Sequence, residues 1–281
     1  MLIAQITDIH LGFDPGNPAE HNRKRLDRVI RDLCDGPNRP DLLLATGDLT
    51  ERGDIESYAR LAEALSSCDF PVLMSLGNHD IRLNFITQFS HIPVVDGFVQ
   101  YVVSMYGLRL IVLDTLEEGR HGGAFCETRA AWLRKTLAED VSTPTIIVMH
   151  HPPVEVGIHW MNTDPDELWV QNFSRAIEKA PNIKSIICGH IHRSVVVPWA
   201  GTAVAICAST APQVTLDLRP IDAEMPDERP MIIAEPPAYA LHYWNGRELV
   251  TYFNNAEDHP VLSKFDYRLQ PLIRQVFSER P

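Results

Sequence analysis

Apolar runs of strand length alternate with stretches of helical periodicity over the first two-thirds of the chain. The apolar runs predict strands at residues 2–6, 42–45, 71–76, 99–104, 108–114, 144–149 and 184–188. The intervening periodic stretches predict helices at residues 23–33, 55–65, 82–89, 128–137 and 168–179. Such alternation is typical of βαβ units and indicates an α/β protein with a largely parallel sheet.

The last third of the chain has a different pattern, with short apolar runs and no long helix between them. Three short strands are predicted, at residues 195–198, 202–206 and 214–217. A hairpin is predicted from strands 238–244 and 249–253, with its turn at Asn245-Gly246. The segment 220–237 is rich in proline and acidic residues and is predicted to be a loop. We therefore expect a second sheet that packs against the first within one catalytic domain, residues 1–254, followed by a tail, residues 255–281.

Composition and charge narrow the range of partners. The 281 residues carry a formal net charge of -12, which disfavours the broad Lys/Arg surface that polymeric nucleic acids require. No apolar run has the length of a membrane span, and the amino terminus lacks the pattern of a signal peptide. The five cysteines are scattered and odd in number. We expect a cytoplasmic protein that binds neither membranes nor polymeric nucleic acid.

Polar residues of metal-ligand type follow five of the predicted strands directly. In chain order they are Asp8 and His10; Asp48; Asn78, His79 and Asp80; His150 and His151; and His190 and His192. The carboxyl ends of parallel strands line one crevice, where ligands bind. Residues i and i+2 of an extended segment share a face, so each of the pairs Asp8/His10 and His190/His192 is expected to bind one ion together. The glycines before Asp48, Asn78 and His190 are expected to permit unusual backbone angles.

The chemistry of these residue types indicates divalent cations. Imidazole, carboxylate and amide oxygen together suit Mn, Fe, Co or Zn. Two such ions about 3.5–4 Å apart form a clamp for in-line displacement at phosphorus, and Asp48 is the candidate bridge. Each motif alone has a structural explanation, since Gly-Asn-His-Asp is a common kind of turn and Pro-Pro can end a strand. The recurrence of ligand types at five strand ends favours the metal hypothesis.

The same motifs resemble those of the calcineurin-like metallophosphoesterase superfamily. The matching blocks are Asp8-Ile9-His10, Gly47-Asp48-Leu49-Thr50-Glu51-Arg52-Gly53, Gly77-Asn78-His79-Asp80, His150-His151-Pro152-Pro153 and Gly189-His190-Ile191-His192. Chain size and Ala208-Ser209-Thr210 most resemble the bacterial branch of cyclic-nucleotide phosphodiesterases and glycerophosphodiesterases. This resemblance implies a four-layer αββα sandwich with two mixed sheets and a site for two divalent metal ions at the carboxyl ends of the strands.

The resemblance also implies a role for each residue of the motifs. The implied ligands are Asp8, His10 and His192 for the first metal; Asn78, His150 and His190 for the second; and Asp48 for both. His79 is implied to face the phosphate as a catalytic residue, with Asp80 orienting it. His151 is expected to orient a ligand or to contact the substrate. Asn78 and His79 are also expected to contact the substrate.

The implied activity is hydrolysis of a small phosphodiester by a metal-bound hydroxide, with His79 protonating the leaving group. His159 and its neighbours in a cap loop, residues 153–169, are expected to contact the substrate; an oligomer interface explains them equally well. The tail is expected to pack on the body or on a second copy in a homo-oligomer. Alternatives are a phosphomonoesterase, a pyrophosphatase, a protein phosphatase, a nuclease or an inactive binding scaffold on the same fold.

Overall fold

The computed structural model describes residues 1–280, which form two large mixed sheets and six α-helices. The strands are β1 (Leu2–Ile6), β2 (Leu42–Thr46), β3 (Val72–Ser75), β4 (Tyr101–Met105), β5 (Leu108–Val112), β6 (Thr145–Val148), β7 (Ile183–Cys188), β8 (Val195–Trp199), β9 (Thr202–Ile206), β10 (Gln213–Val214), β11 (Ile232–Ile233), β12 (Ala238–Trp244) and β13 (Leu249–Asn255). The helices are α1 (His21–Asp35), α2 (Ile55–Leu65), α3 (Arg82–Gln88), α4 (Glu127–Glu139), α5 (Leu168–Ile177) and α6 (Gln270–Ser278). A 3₁₀ turn covers His159–Met161.

The two large sheets are both mixed: the first has parallel strands up to one edge and antiparallel pairing at the other, and the second has parallel strands flanked by an antiparallel strand at each edge. The first has the order β13-β12-β1-β2-β3, with β1, β2 and β3 parallel. The second has the order β4-β5-β6-β7-β9-β8, with β5, β6, β7 and β9 parallel. The predicted hairpins form as β4–β5 and β12–β13.

The core shows how the layers are stacked. Alternate residues of β5 face opposite sides, as the pleat of a strand requires. Leu110 and Val112 belong to the core that also contains β1 and β2, whereas Ile111 belongs to the core beneath α4 and α5. Helices α1 and α2 contribute Leu26 and Leu61 to the first core. The predicted α/β architecture with two mixed sheets in an αββα arrangement is therefore confirmed.

The last third differs from the prediction in two places. The expected strand 214–217 is reduced to β10, and the expected loop 220–237 contains its partner β11. Only two residues pair on each side, which is too short for an apolar pattern to reveal. Between them the chain is organised by ion pairs such as Arg229–Asp217 instead of by a strand ladder.

The tail contributes little to the body of the protein. Arg28 forms an ion pair with Asp258 at 2.6 Å, but no residue of α6 is buried against the rest of residues 1–280. Packing of the tail on a second copy remains a prediction, as does the domain boundary. None of the helices in residues 1–280 combines the length and the apolar character needed to cross a lipid bilayer.

Candidate metal centre

The ligand-type side chains predicted at the strand ends converge at one rim between the two sheets. Asp8, His10 and His192 place ligand atoms within 4.8 Å of one another. His192 Nε2 lies 3.4 Å from Asp8 Oδ1 and 3.2 Å from His10 Nε2. Two imidazole nitrogens so close need a proton or a cation between them, because two lone pairs facing each other repel. This group is the predicted first ligand set.

Asp48 lies between two groups of ligand-type residues. Its Oδ2 is 3.8 Å from His10 Nε2 on one side and 3.3 Å from His150 Nε2 on the other. The Asp48 side chain is almost fully buried, and its Oδ1 accepts a hydrogen bond from the His79 backbone N–H at 2.8 Å. Asp48 therefore connects the two groups of ligand-type residues.

A second group contains His150, His190 and also His151. The ring of His151 lies 4.8 Å from that of His150 and 4.7 Å from that of His190. Its Nδ1 is 2.8 Å from Thr115 Oγ1, and its buried Nε2 has no hydrogen-bond partner among residues 1–280. Asn78 Oδ1 is likewise buried and without a partner in that range. Unpaired buried acceptors of this kind fit a divalent cation bound by imidazole and amide oxygen.

Four of the histidines are anchored through Nδ1, which turns Nε2 towards the centre of the site. The anchoring contacts are His10 Nδ1 to Glu51 Oε2 at 2.8 Å, His79 Nδ1 to Glu51 O at 2.9 Å, His150 Nδ1 to Thr46 O at 2.8 Å and His192 Nδ1 to Pro212 O at 2.8 Å. A carbonyl oxygen can only accept, so it selects the Nδ1–H tautomer. Metal-binding histidines are commonly held in this way.

The backbone brings the ligand pairs together differently from the extended geometry we expected. Strands β1 and β7 end at Ile6 and Cys188, before the ligands begin. Asp8, His10, Asp48, His190 and His192 all have positive φ, between 46° and 74°. Left-handed residues other than glycine are uncommon and concentrate at functional sites. The left-handed turns thus bring Asp8 and His10 into one group of ligand atoms, whereas His190 and His192 fall in different groups, so the expectation that they bind one ion together was wrong.

The glycines before the ligands also serve two different purposes. Gly47 has φ of 90°, as expected, and a Cβ there would lie 2.5 Å from His150 Nδ1. Neither Gly77 nor Gly189 has positive φ, so the expectation of an unusual backbone angle was wrong at both positions. A Cβ at Gly189 would lie 1.9 Å from Thr7 Oγ1. Space, not backbone freedom, requires glycine at that position.

The charges of the protein groups favour cation binding. Burial by itself would raise the pKa of Asp48, but His150 outweighs it and holds that pKa well below 3.8. Burial by itself would lower the pKa of His150, yet Asp48 raises it to about 9. Burial, together with neighbouring imidazoles, lowers the pKa values of His151 and His190 well below 6.5. At neutral pH the site without a cation therefore holds an ionised Asp48 carboxylate, a protonated His150 and neutral His151 and His190, and a bound cation would displace the extra proton of His150.

Asp80 does not orient His79 as expected. Its carboxylate accepts hydrogen bonds from the backbone of Leu49, Thr50 and Gly77 and from the Tyr58 hydroxyl. Burial, with a smaller effect of the Asp48 charge, raises the pKa of Asp80 to about 6. Asp80 therefore ties the loops after β2 and β3 together, because its backbone donors lie on both loops.

His159 also lies elsewhere than expected. It is exposed, and its Nδ1 accepts a hydrogen bond from the Ile221 backbone N–H at 3.2 Å. The cavity over the metal centre is lined by Trp160 and Met161, its neighbours in the 3₁₀ turn, and not by His159. His159 thus connects two surface loops, because the turn directs successive side chains to different sides.

Two residues of the site were missed by reasoning from strand ends. Glu51 anchors His10 by its carboxylate and His79 by its backbone carbonyl. His121 lies in a loop after β5, with its ring 4.8 Å from that of His190 and its Nδ1 3.3 Å from Asn78 Nδ2. Glu51 belongs to the motif Gly47-Asp48-Leu49-Thr50-Glu51-Arg52-Gly53, so the sequence offered a sign of its importance. His121 belongs to none of the motifs and does not follow a strand directly, so nothing in the sequence pointed to it.

Comparisons with known proteins identify the family of this chain. The family model described as calcineurin-like phosphoesterase matches residues 1–194. A probable glycerophosphodiester phosphodiesterase of Arcobacter nitrofigilis is 29% identical over 256 residues, covering 89% of this chain and 91% of that protein. A probable cyclic nucleotide phosphodiesterase of Rhodopseudomonas palustris is 32% identical over 256 residues, covering 85% and 87%.

Among solved structures, the fold is similar to that of a dimetal phosphatase from Danio rerio. The TM-score is 0.66 at 14% sequence identity, and the similarity covers 92% of this chain and 97% of that one. This likeness concerns the fold alone. Together with the family match over residues 1–194, the converging motifs lead to one conclusion: the chain belongs to the calcineurin-like phosphoesterase family and is a metal-dependent phosphoesterase.

Proposed function

We propose that this chain hydrolyses small phosphodiesters, of the 3',5'-cyclic nucleotide or glycerophosphodiester class, with the help of two divalent cations. The two bacterial relatives bear the names of these two activities. The cavity over the candidate metal centre has a volume of about 340 Å³, within the range of roughly 300–1,000 Å³ typical of small-molecule sites.

The position of Asp48 carries this proposal. Its carboxylate lies within 4 Å of an imidazole nitrogen of His10 and of His150, which belong to different groups of ligands. Asp8, His10 and His192 would hold one cation, and His150 and His190 with Asn78 the other. When bound, the pair of cations would lower the pKa of a coordinated water and neutralise charge on the phosphate oxygens.

His79 and Glu51 have different roles: His79 donates a proton to the leaving group, and Glu51 orients the histidines. His79 lines the cavity, and because its Nδ1–H donates to the Glu51 carbonyl, its Nε2 is the atom available to the substrate. A proton at Nε2 can pass to the oxygen of the leaving alkoxide. Glu51 keeps His10 and His79 in a fixed relation, since it anchors both.

Asp48→Asn tests the bridging carboxylate. The substitution removes the charge and one of the two side-chain oxygens but keeps the size. We therefore expect both metals to bind more weakly and turnover to fall about a hundredfold or more, in line with the loss of a major electrostatic contributor. Metal content after dialysis is measured by elemental analysis. Asp96→Asn is the matched control, since Asp96 has a similar positive φ but is exposed and outside the cavity. Unchanged metal content in Asp48→Asn would reject the bridge.

His79→Ala tests the proton donor. An alkoxide leaving group needs protonation more than a nitrophenolate does. We therefore expect the variant to lose more kcat on alkyl diesters than on nitrophenyl diesters. Equal losses of kcat on both kinds of diester would argue against His79 as the proton donor. They would not argue against the proposed metal centre.

A substrate panel with added manganese separates the candidate functions. It comprises bis(p-nitrophenyl) phosphate, p-nitrophenyl phosphate, cyclic AMP and glycerophosphoethanolamine. Preference for the diesters supports the proposal, whereas preference for p-nitrophenyl phosphate would make the chain a phosphomonoesterase. A metal-loaded protein that turns over none of the four would instead be a binding scaffold.

A further inference from the structure

The cavity over the candidate metal centre has two unlike walls. One consists of histidines with Asp48 and Glu51, and the other contains apolar side chains. The apolar wall includes Phe13, Trp160 and Ile232, which are 65%, 37% and 52% exposed. Exposed large apolar side chains gathered in a concave site indicate a ligand contact more strongly than the same residues scattered over a surface.

The loop that carries Phe13 is held rigidly. The buried Glu20 carboxylate accepts hydrogen bonds from the backbone N–H groups on both sides of Phe13, at 2.6 Å from Gly12 and 3.0 Å from Asp14. A side chain that could turn inwards in a mobile loop is thereby kept at the edge of the cavity. Because the backbone around Phe13 is held by these hydrogen bonds, the exposed ring is already in place for a ligand, which lowers the entropy cost of binding.

The segment that carries Trp160 is held in the same way. Asn162 Oδ1 accepts hydrogen bonds from the backbone N–H groups of Val156 and Gly157, at 2.9 and 2.8 Å. Thr163 Oγ1 donates to the carbonyl of Pro152 at 2.9 Å, which fixes the segment to the end of the His150-His151-Pro152-Pro153 motif. The indole is thus attached rigidly to the loop that supplies candidate ligands.

The third apolar residue, Ile232, lies on the two-residue strand β11. It pairs with Val214 of β10, which is buried and also lines the cavity. The position of Ile232 at the cavity gives a physical reason for β10 and β11 to pair apart from the two large sheets. The pair positions an aliphatic side chain on the same wall as the two aromatic rings.

The charges around the cavity limit what the apolar wall can bind. Among the described residues that line the cavity there is no lysine and no arginine. A second phosphate or another anionic substituent would therefore find no cationic side chain there. An uncharged planar group fits better, because aromatic side chains bind such groups by stacking.

We propose that Trp160, together with Phe13 and Ile232, forms a subsite for a planar, uncharged substituent of the diester, such as a nucleobase. This inference rests on the proposed phosphodiesterase function and selects the cyclic nucleotide class over the glycerophosphodiester class. Trp160 determines specificity by contact with the substituent and takes no part in bond cleavage.

Two synthetic diesters with the same leaving group test the subsite. Phenyl p-nitrophenyl phosphate and ethyl p-nitrophenyl phosphate differ only in the second ester, so the chemistry of cleavage is nearly constant. The wild type is expected to prefer the phenyl ester in kcat/KM. Trp160→Ala is expected to lose about tenfold on the phenyl ester through KM, the size of one lost stacking contact, with less than twofold change on the ethyl ester. Trp160→Phe is expected to restore most of the preference.

A second measurement reads binding without turnover. Calorimetry on the manganese-loaded protein compares adenosine 5'-monophosphate with ribose 5-phosphate, which share the phosphate and sugar. We expect tighter binding of the nucleotide in the wild type and equal binding in Trp160→Ala. Phe265→Ala, which removes an exposed aromatic ring outside the cavity, is the control and should behave as the wild type.

The outcomes separate the two proposals. Turnover of both esters without a phenyl preference, or equal losses on both in Trp160→Ala, would overturn the subsite and leave the phosphodiesterase function standing. Turnover of neither ester would overturn the function. The calorimetric comparison then decides about the subsite alone, and equal affinity of the wild type for the two phosphates would overturn it.

Discussion

A buried histidine outside the metal-ligand set is predicted to make stability depend on pH. His242 lies in β12 and is fully buried, with its Nδ1 2.8 Å from Thr251 Oγ1 and its Nε2 3.1 Å from Gln5 Oε1. The Gln5 amide nitrogen donates to Thr46 Oγ1 and to the Cys188 carbonyl, both at 2.8 Å, so its oxygen is left to accept from His242. The network connects the two sheets and is complete with a neutral imidazole.

The size of the effect follows from the pKa. Burial lowers the pKa of His242 from 6.5 to about 3. Below pH 6.5 the unfolded chain therefore gains a proton that the folded protein does not take up until about pH 3. The free energy of unfolding falls as the pH falls from 6.5 to about 3, by about 1.4 kcal/mol per pH unit inside that range. At pH 5, about 1.5 units below the unfolded pKa, the expected loss from this residue is about 2 kcal/mol.

The assay compares the wild type with His242→Gln, which cannot titrate but keeps a donor for Gln5. Urea unfolding is followed at pH 7 and pH 5 in the presence of a chelator, because metal binding is itself pH-dependent. The drop in unfolding free energy between the two pH values should be about 2 kcal/mol larger in the wild type. The contributions of the other histidines cancel in this difference. His91→Gln, at an exposed histidine, should match the wild type.

The same pH dependence in the wild type and in His242→Gln would refute this reasoning. That result would mean that the folded protein binds the proton at His242 near its ordinary pKa, through water entry or local opening between the sheets. The variant need not be as stable as the wild type for the test to hold, since only the change with pH is compared.

Two further substitutions test the supports of the site. Arg25 is buried and donates to the carbonyls of Thr210 (2.7 Å) and Ala211 (3.0 Å), next to the Pro212 carbonyl that anchors His192. Loss of such a supporting contact weakens metal binding roughly 10–100-fold. We therefore expect Arg25→Met to lower the metal content, measured by elemental analysis, by about one ion of the proposed pair. Asp114 is fully buried and accepts two hydrogen bonds from Arg82, at 2.8 and 3.0 Å. We expect Asp114→Asn to lower the free energy of unfolding, measured in urea, by about 3 kcal/mol, because Arg82 loses its buried counter-charge and keeps only the exposed Glu118 at 3.7 Å.

Specific results would contradict these expectations. Full metal content in Arg25→Met would mean that the loop holds its shape without the guanidinium, and Arg25→Lys provides a comparison that keeps the charge but not the planar fork. A loss below about 1 kcal/mol in Asp114→Asn would mean that Arg82 is hydrated in the folded protein and gains little from the pair.

Much of the fold follows from local patterns. Each strand and helix predicted in the first two-thirds is present, with ends shifted by a few residues. The pattern succeeds there because strands buried on both faces, such as β2, appear as uninterrupted apolar runs. It fails for β10 and β11, where two residues on each side pair only because distant parts of the chain meet.

The candidate site shows the same division. Ligand types such as Asp48 could be identified because they end apolar runs, and parallel strands share one carboxyl rim. The partner of each ligand could not be identified, since the Nδ1 anchors of His10 and His192 lie at Glu51 and Pro212, on loops whose positions depend on both sheets. The positions of Asp80 and His159 were misjudged for the same reason.

The amino-acid sequence by itself determined which residue types end which strands, because hydrophobic periodicity is a local property of the chain. The tertiary structure alone decided that His10 and His192 lie 3.2 Å apart, that left-handed turns direct the ligands inwards, and that Trp160 faces them across a cavity. These features depend on contacts between residues far apart in the chain, and only the packing of the two sheets brings such residues together.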